Sequence, residues 1–355
     1  MKHRIAALMR RLALASVLSL ASAPIVMAKY SPGATPFRSL AEVSAWIDNY
    51  RVTQDVARFG DAIKAASRYG AFKEPDAAGL YVGFIAGVIG ANPGKADELV
   101  AQMFPVSESD HWAVVRGIAY SGLPNWRFVL KRAAQRMPSR AVMIEAYISG
   151  RLPVLDDLSI KPSPTTWQRI RASLAIDFSS RKNKPRALEP TQALLDTLWG
   201  NYLATGSYRP LLRIVDLLPW AEDRDDADKL TLGSMAKYTL AVNASRDPQL
   251  LERLRGIRRT RAASAGNVKV LDAVIAAAET ADTGTLRKEQ LAAIEKLKMK
   301  GPAYKQEMST WAKVGQGAIA VGCVAAAVTG HVELGLPCVI GGGATSAAMY
   351  YMNDR

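Results

Sequence analysis

Histidine is the side chain best suited to proton transfer near neutral pH, and the sequence contains three of them. His3 belongs to the N-terminal leader, so His111 and His331 are the ones to consider. His111 stands in ESDHWAVVR, where Glu108 or Asp110 could orient its imidazole as a general base. A histidine near the start of a helix more often caps that helix or lies on its surface, and we interpret His111 in this way.

A serine and a lysine at helical spacing are the second candidate for chemistry. SMAK, from Ser234 to Lys237, resembles the S-x-x-K motif of penicillin-binding proteins and serine β-lactamases, in which the lysine lies one turn from the serine and helps to deprotonate it. The S-D-N-like and K-T-G elements of those enzymes are not found in the sequence. We therefore predict a non-enzymatic protein and keep a hydrolase that uses His111 or Ser234 as the least favoured alternative.

Sites for phosphate and metal ions are also not indicated. GANPGKAD (90–97) has three residues between Gly90 and Gly94 where a phosphate-binding loop has four, and Ala96 stands where that loop has a hydroxyl. No H-E-x-x-H or paired-cysteine metal spacing occurs in the sequence. The sequence predicts no catalytic, cofactor-binding or metal-ligating residue, and no cofactor.

Residues 1–28 have the pattern of a signal peptide. A basic start without acids precedes the apolar stretch LALASVLSLASA (12–23), and VMA (26–28) supplies the small or apolar residues that precede a cleavage site. We predict cleavage between Ala28 and Lys29 and export to the periplasm or cell envelope. An N-terminal membrane anchor is the alternative, although the apolar run is short for a membrane span.

The C-terminal residues 302–355 become apolar and rich in glycine and alanine from Val314 onward, and they contain both cysteines of the chain. Residues 314–329 and 334–352 predict a helical hairpin that is built for close packing, either attached to a membrane or buried against the rest of the protein. Because an exported chain meets an oxidising compartment, we predict a disulfide between Cys323 and Cys338.

The remaining chain, residues 29–301, shows apolar residues at helical spacing and no convincing strand pattern. Gly122, Gly150 and Gly206 each follow an aromatic and a hydroxyl residue and precede a proline, which is typical of a helix that ends at a glycine before the next helix begins. This layout loosely resembles tetratricopeptide-type repeats. We predict an all-α fold, an irregular α-solenoid-like array of helix-turn-helix units with a subdivision near 155–190.

One helix of this array carries glycine at every fourth position. Gly79, Gly83 and Gly87 would form a stripe without side chains, which another helix can approach closely. We predict a buried helix at the centre of the array.

The formal net charge is +14, and export favours an anionic lipid or envelope polymer over nucleic acid as its partner. The run RLRGIRRTR (253–261) suggests an anionic-surface contact at four arginines, Arg255, Arg258, Arg259 and Arg261.

Together these features predict an exported, non-enzymatic binding or scaffold protein of the cell envelope, with a membrane or another envelope protein as its partner. The alternative is a membrane-active or secreted effector that inserts its glycine-rich C-terminal hairpin into bilayers.

Overall fold

The computed structural model describes residues 36–160, 187–223, 225–260 and 265–280, together with residue 292. The protein is all-α, as the sequence predicts. The predicted cleavage site at Ala28 and Lys29, the hairpin of residues 302–355 with Cys323 and Cys338, and Arg261 lie outside the described residues. The solenoid-like stacking of repeats stays a prediction.

The helices from the N-terminal half enclose a first hydrophobic core, which includes Phe59, Phe84 and Met103, all fully buried. Short 3₁₀ turns connect several of these helices. The helices of this half are α1 Leu40–Thr53, α2 Phe59–Arg68, α3 Gly79–Ala91, α4 Ala96–Gln102, α5 His111–Ala119, α6 Trp126–Ala133 and α7 Ala141–Ile148.

A second core lies among the helices that follow residue 190, and Trp199, Leu240 and Leu254 are buried in it. Leu80 of α3 belongs to this second core and Ala204 to the first, so α3 and the helix Gln192–Thr205, which we number α8, connect the two cores. The helices of this half are α8 Gln192–Thr205, α9 Tyr208–Val215, α10 Ala227–Arg246, α11 Pro248–Thr260 and α12 Ala265–Glu279.

Local sequence explains where several helices begin and end. Ser39 caps α1 by accepting a hydrogen bond from the Glu42 amide at 3.2 Å, and Thr191 caps α8 in the same way. Gly122, Gly150 and Gly206 have φ angles of +70°, +75° and +61°, the left-handed conformation that the glycine pattern predicts after a helix. Because these signals act within one turn of the chain, they can be recognised from the sequence alone.

The helix that contains the glycine stripe begins later than its proline suggests. Proline is favoured in the first turn of a helix, and Pro75 precedes the stripe, but α3 begins at Gly79. The amides of Ala77 and Ala78 both donate to the carbonyl oxygen of Glu74, at 3.0 and 3.1 Å, which forms a separate turn before the helix. Pro75 therefore starts that turn.

A parallel bridge between Leu158 and Leu188 brings together two points of the chain on either side of residues 161–186. The Leu188 amide donates to Asp157 at 3.2 Å, and the Ser159 amide donates to Leu188 at 3.4 Å. Arg213 of α9 also donates to the Leu158 carbonyl oxygen at 3.1 Å. The bridge thus fastens both points to the second half of the protein.

Candidate interaction surface

The glycine stripe of α3 lies against the backbone of α8. A Cβ atom added to Gly79 would lie 2.1 Å from the carbonyl oxygen of Ala193, and one added to Gly83 would lie 1.9 Å from that of Thr197. At Gly87 the added atom would lie 2.5 Å from the Cβ atom of Ala204. The structure therefore uses the stripe for internal helix packing.

The arginine run of α11 is neutralised by acids from two helices. Arg255 pairs with Glu279 at 2.8 Å and with Glu252 at 3.3 Å. Both carboxylates accept hydrogen bonds from Arg255 and raise its pKa, Glu279 more than Glu252. Arg258 pairs with Asp272 at 2.9 Å and Arg259 with Glu252 at 3.1 Å. The three described arginines of the predicted anionic-surface contact, Arg255, Arg258 and Arg259, therefore do not form an uncompensated basic patch.

His111 is buried, with 7% of its surface exposed, and this corrects the interpretation that it lies on the surface of its helix. Its ring packs edge-on against Phe104 at a centroid distance of 5.6 Å. Burial lowers the pKa of His111, which keeps the imidazole neutral near pH 7. Its Nδ1 atom is buried without a hydrogen-bond partner among the described residues. The ring therefore lies in a buried environment, beside the Phe104 ring that packs against the first core.

The carboxylate next to this histidine is occupied by serines. Asp110 accepts hydrogen bonds from Ser67 at 2.6 Å and from Ser109 at 3.0 Å, one on each oxygen. A base that activates serine has the order serine, histidine, carboxylate. Here the serines contact the carboxylate directly, so these groups are not arranged as a nucleophile and its base.

Ser234 and Lys237 of the S-x-x-K match lie in the middle of α10. Ser234 is 3% exposed. The preceding residue, Gly233, lies against the backbone of the 3₁₀ turn Leu218–Glu222, because an added Cβ atom would be 2.2 Å from the Ala221 amide nitrogen. The serine hydroxyl is therefore enclosed by the second core.

Helix α6 presents a basic outer side because its other side is fixed in the first core. Arg132 on its outer side forms a bidentate pair with Asp97 of α4, at 2.8 and 2.5 Å. This pair neutralises the edge of α6 that faces α4. The residues that bury the inner side are Trp126, Val129, Leu130 and Ala133.

The cations without carboxylate partners are Arg127 and Lys131 of α6 and Arg136 of the 3₁₀ turn Ala134–Arg136 that follows it; together with Phe128 of α6 we name them the cationic face. Phe128 is 64% exposed. No carboxylate of the described residues pairs with Arg127, Lys131 or Arg136. Residues 126–150 contain five basic residues and one acid, Glu145, so few acids are available nearby.

Two cations of the cationic face are held in place by neutral groups. Arg127 donates to the carbonyl oxygen of Ile148 at 3.2 Å, and its guanidinium lies 4.6 Å from the centre of the Trp126 ring. The guanidinium of Arg136 lies 5.8 Å from the centre of the Phe104 ring. Such contacts orient a guanidinium without cancelling its charge. The face therefore combines positioned cations with an exposed aromatic ring.

The sequence analysis did not predict the cationic face, because only dense basic runs were taken as candidate anionic-surface contacts. Residues 127–136 contain four basic residues in ten positions, whereas the run 253–261 contains five in nine, so density favoured the arginines of α11. The number of nearby acidic residues distinguishes the two helices in the sequence, because α11 contains Glu252 whereas α6 contains no acidic residue. Val142, 81% exposed on the neighbouring α7, is another apolar residue of this region.

No described helix is both long and apolar enough to cross a membrane. Among the described residues, no group of three or more histidine, cysteine, aspartate or glutamate side chains could hold a metal ion. Comparison with known proteins adds no further candidate: no protein-family model, no curated protein and no solved structure matches the chain.

Proposed function

We propose that the chain is an exported, non-enzymatic binding or scaffold protein of the cell envelope, and that its cationic face binds an anionic envelope surface. The observation that carries this proposal is that three cations, Arg127, Lys131 and Arg136, have no carboxylate partner among the described residues and lie in or directly after α6, the helix that exposes Phe128. Export is supported by the signal-peptide pattern of residues 1–28.

The chemistry of the face fits a lipid headgroup layer better than a neutral partner. Each lysine or arginine near an anionic membrane surface contributes about 1 kcal/mol of attraction. An aromatic ring on the same side can enter the headgroup region, which stabilises binding by burying apolar surface. Three cations and one ring therefore give reversible binding that weakens as salt screens the charges.

Vesicle flotation tests the proposal with the full mature chain. The protein is mixed with phosphatidylcholine vesicles that contain or lack phosphatidylglycerol, at low salt and at about 0.5 M salt. We expect binding to the anionic vesicles at low salt, and we expect the triple variant R127Q/K131Q/R136Q to bind at least about tenfold more weakly.

The triple variant R255Q/R258Q/R259Q is the matched control, since it removes the same number of positive charges from arginines that are already paired. We expect it to bind as the unmodified protein does. Equal losses in the two variants would show a non-specific charge effect and refute the face. Binding that resists carbonate extraction and survives both variants would instead support insertion of the C-terminal hairpin.

A further inference from the structure

Arg116, in the last turn of α5, is half-buried but has no polar partner in the part of the chain that the structure describes. No hydrogen bond or ion pair joins its guanidinium to another described residue, and its Nε atom is buried without a partner there. Cations that leave water normally find an acceptor, and other half-buried arginines of this protein donate to carboxylate or carbonyl oxygens. They are Arg51, Arg140, Arg213, Arg253 and Arg255.

Aromatic rings hold Arg116 in place instead. Its guanidinium lies 4.9 Å from the centre of the Trp112 ring, one turn earlier on α5, and Trp112 packs against the first core. Tyr120, one turn later, is buried, and its ring packs edge-on against Tyr147 of α7 at a centroid distance of 6.3 Å. Burial raises the pKa of the Tyr120 hydroxyl, whereas the nearby charge of Arg116 lowers it. Such ring contacts orient a guanidinium without cancelling its charge.

The carboxylates around α5 are engaged elsewhere. Asp157 acts on the charge of Tyr120, as Arg116 does, but its Oδ2 atom accepts a hydrogen bond from the Val154 amide at 2.9 Å. Asp110, which directly precedes α5, accepts hydrogen bonds from two serines. Neither acid pairs with Arg116, so no carboxylate of the described residues balances its positive charge.

The accessible part of Arg116 is the outer end of its guanidinium. Its Nε atom is buried, but its two Nη atoms are not. The N–H groups of these two atoms form a fork that matches the two oxygens of a carboxylate. One carboxylate balances the single positive charge, whereas a phosphate monoester would leave part of its negative charge unpaired. The neighbouring rings exclude water from one side of the guanidinium, which strengthens its attraction for an anion.

We propose that Arg116 and Trp112 form a binding site for a carboxylate group, in which the Nη atoms of Arg116 donate hydrogen bonds to both carboxylate oxygens. Trp112 keeps the guanidinium in position. The carboxylate belongs to a free organic acid or to an acidic side chain of a peptide, which share this chemistry. The site goes beyond the proposed function, because it shares no residue with the cationic face and requires no lipid.

Fluorine NMR of the full mature chain, labelled with fluorotryptophan, tests the site. The chain contains seven tryptophans, and W112F identifies the resonance of Trp112. Acetate represents a free acid and a glutamate-containing peptide with blocked ends represents an acidic side chain, and each is titrated at constant ionic strength. We expect the Trp112 resonance to shift saturably in at least one titration while the resonances of the other tryptophans stay in place. The ligand that binds more tightly identifies the source of the carboxylate.

Two substitutions of Arg116 separate charge from geometry. R116Q removes the charge, and we expect the carboxylate to bind at least about tenfold more weakly. R116K keeps the charge but not the planar fork, so we expect binding to weaken by about tenfold, and this variant also serves should R116Q not fold. R255Q is the matched control, since it removes one charge from a half-buried arginine that already pairs with Glu279 at 2.8 Å. It should bind the carboxylate as the unmodified chain does.

The site is refuted if neither carboxylate shifts the Trp112 resonance saturably, or if both variants of Arg116 bind as the unmodified chain does. Equal shifts of all tryptophan resonances would show a non-specific salt effect and would also refute it. Tighter binding of inorganic phosphate than of acetate would overturn the choice of anion. We expect R116Q to bind anionic vesicles as the unmodified chain does, so this proposal and the proposed function fail separately. Loss of vesicle binding in R116Q would assign Arg116 to the lipid surface instead.

Discussion

Gly83 is the position at which one added methyl group is expected to do most damage. In G83A the new Cβ atom would lie 1.9 Å from the carbonyl oxygen of Thr197 and 2.6 Å from its carbonyl carbon. Carbon and oxygen atoms approach to about 3.3 Å even in close contacts between helices. Helices α3 and α8 would have to move apart by roughly 1.4 Å, the difference between 3.3 and 1.9 Å.

The expected cost is large because the obstructing atoms belong to the backbone and cannot rotate away. Overpacking a core usually costs about 1–3 kcal/mol, and this case belongs at the upper end or above it because the α3–α8 contact connects both cores. Alanine is more favourable than glycine inside a helix by about 1 kcal/mol, which offsets part of the loss. We expect G83A to lower the free energy of unfolding by at least about 2 kcal/mol.

Guanidinium unfolding followed by circular dichroism measures the effect, with G94A as the matched control. Gly94 has no atom within 4 Å of an added Cβ atom, so the same substitution there should change the free energy of unfolding by less than about 0.5 kcal/mol. A G83A protein as stable as the unmodified chain would refute the reasoning. So would equal destabilisation by G94A, because the contact with α8 would then not be the cause.

Three other predictions concern single side chains. T239V removes the acceptor of the buried Trp199 indole N–H, 3.1 Å away, and should lower the free energy of unfolding by about 1–3 kcal/mol; an unchanged chemical-denaturation midpoint would contradict this. Burial raises the pKa of the half-buried Asp48 carboxyl on α1 from 3.8 to about 6, so D48N should raise the free energy of unfolding at about pH 7.5 by about 2–3 kcal/mol, allowing for screening by water, and leave it unchanged below about pH 4, as denaturation at the two pH values would show. F128A should weaken binding to anionic vesicles by about tenfold without changing the circular dichroism spectrum, whereas full binding would exclude the ring from the interface.

The features that the sequence predicted correctly are those that act within a few residues. The helical class follows from apolar periodicity, and the end of α8 follows from the left-handed Gly206. Each of these signals concerns the nearest turn of the chain. Tertiary structure is not needed to recognise them.

The charged groups could not be assigned in this way, because their partners are distant in sequence. Arg255 lies 24 residues from Glu279, which neutralises it, and Arg258 lies 14 residues from Asp272. Arg51 meets Asp247 across 196 residues. A basic run in the sequence therefore overstates the net positive charge on the corresponding surface of the folded protein. The cationic face of α6 was overlooked for the converse reason, since its charges are sparse but uncompensated.

The Leu158–Leu188 bridge has a consequence for the length of the chain between its two residues. The bridge holds these two points of the chain next to each other. The entropy of closing a loop grows only slowly with the number of residues in it. Adding residues to the stretch between Leu158 and Leu188, or removing some, should therefore change the loop-closure entropy of this bridge only slightly.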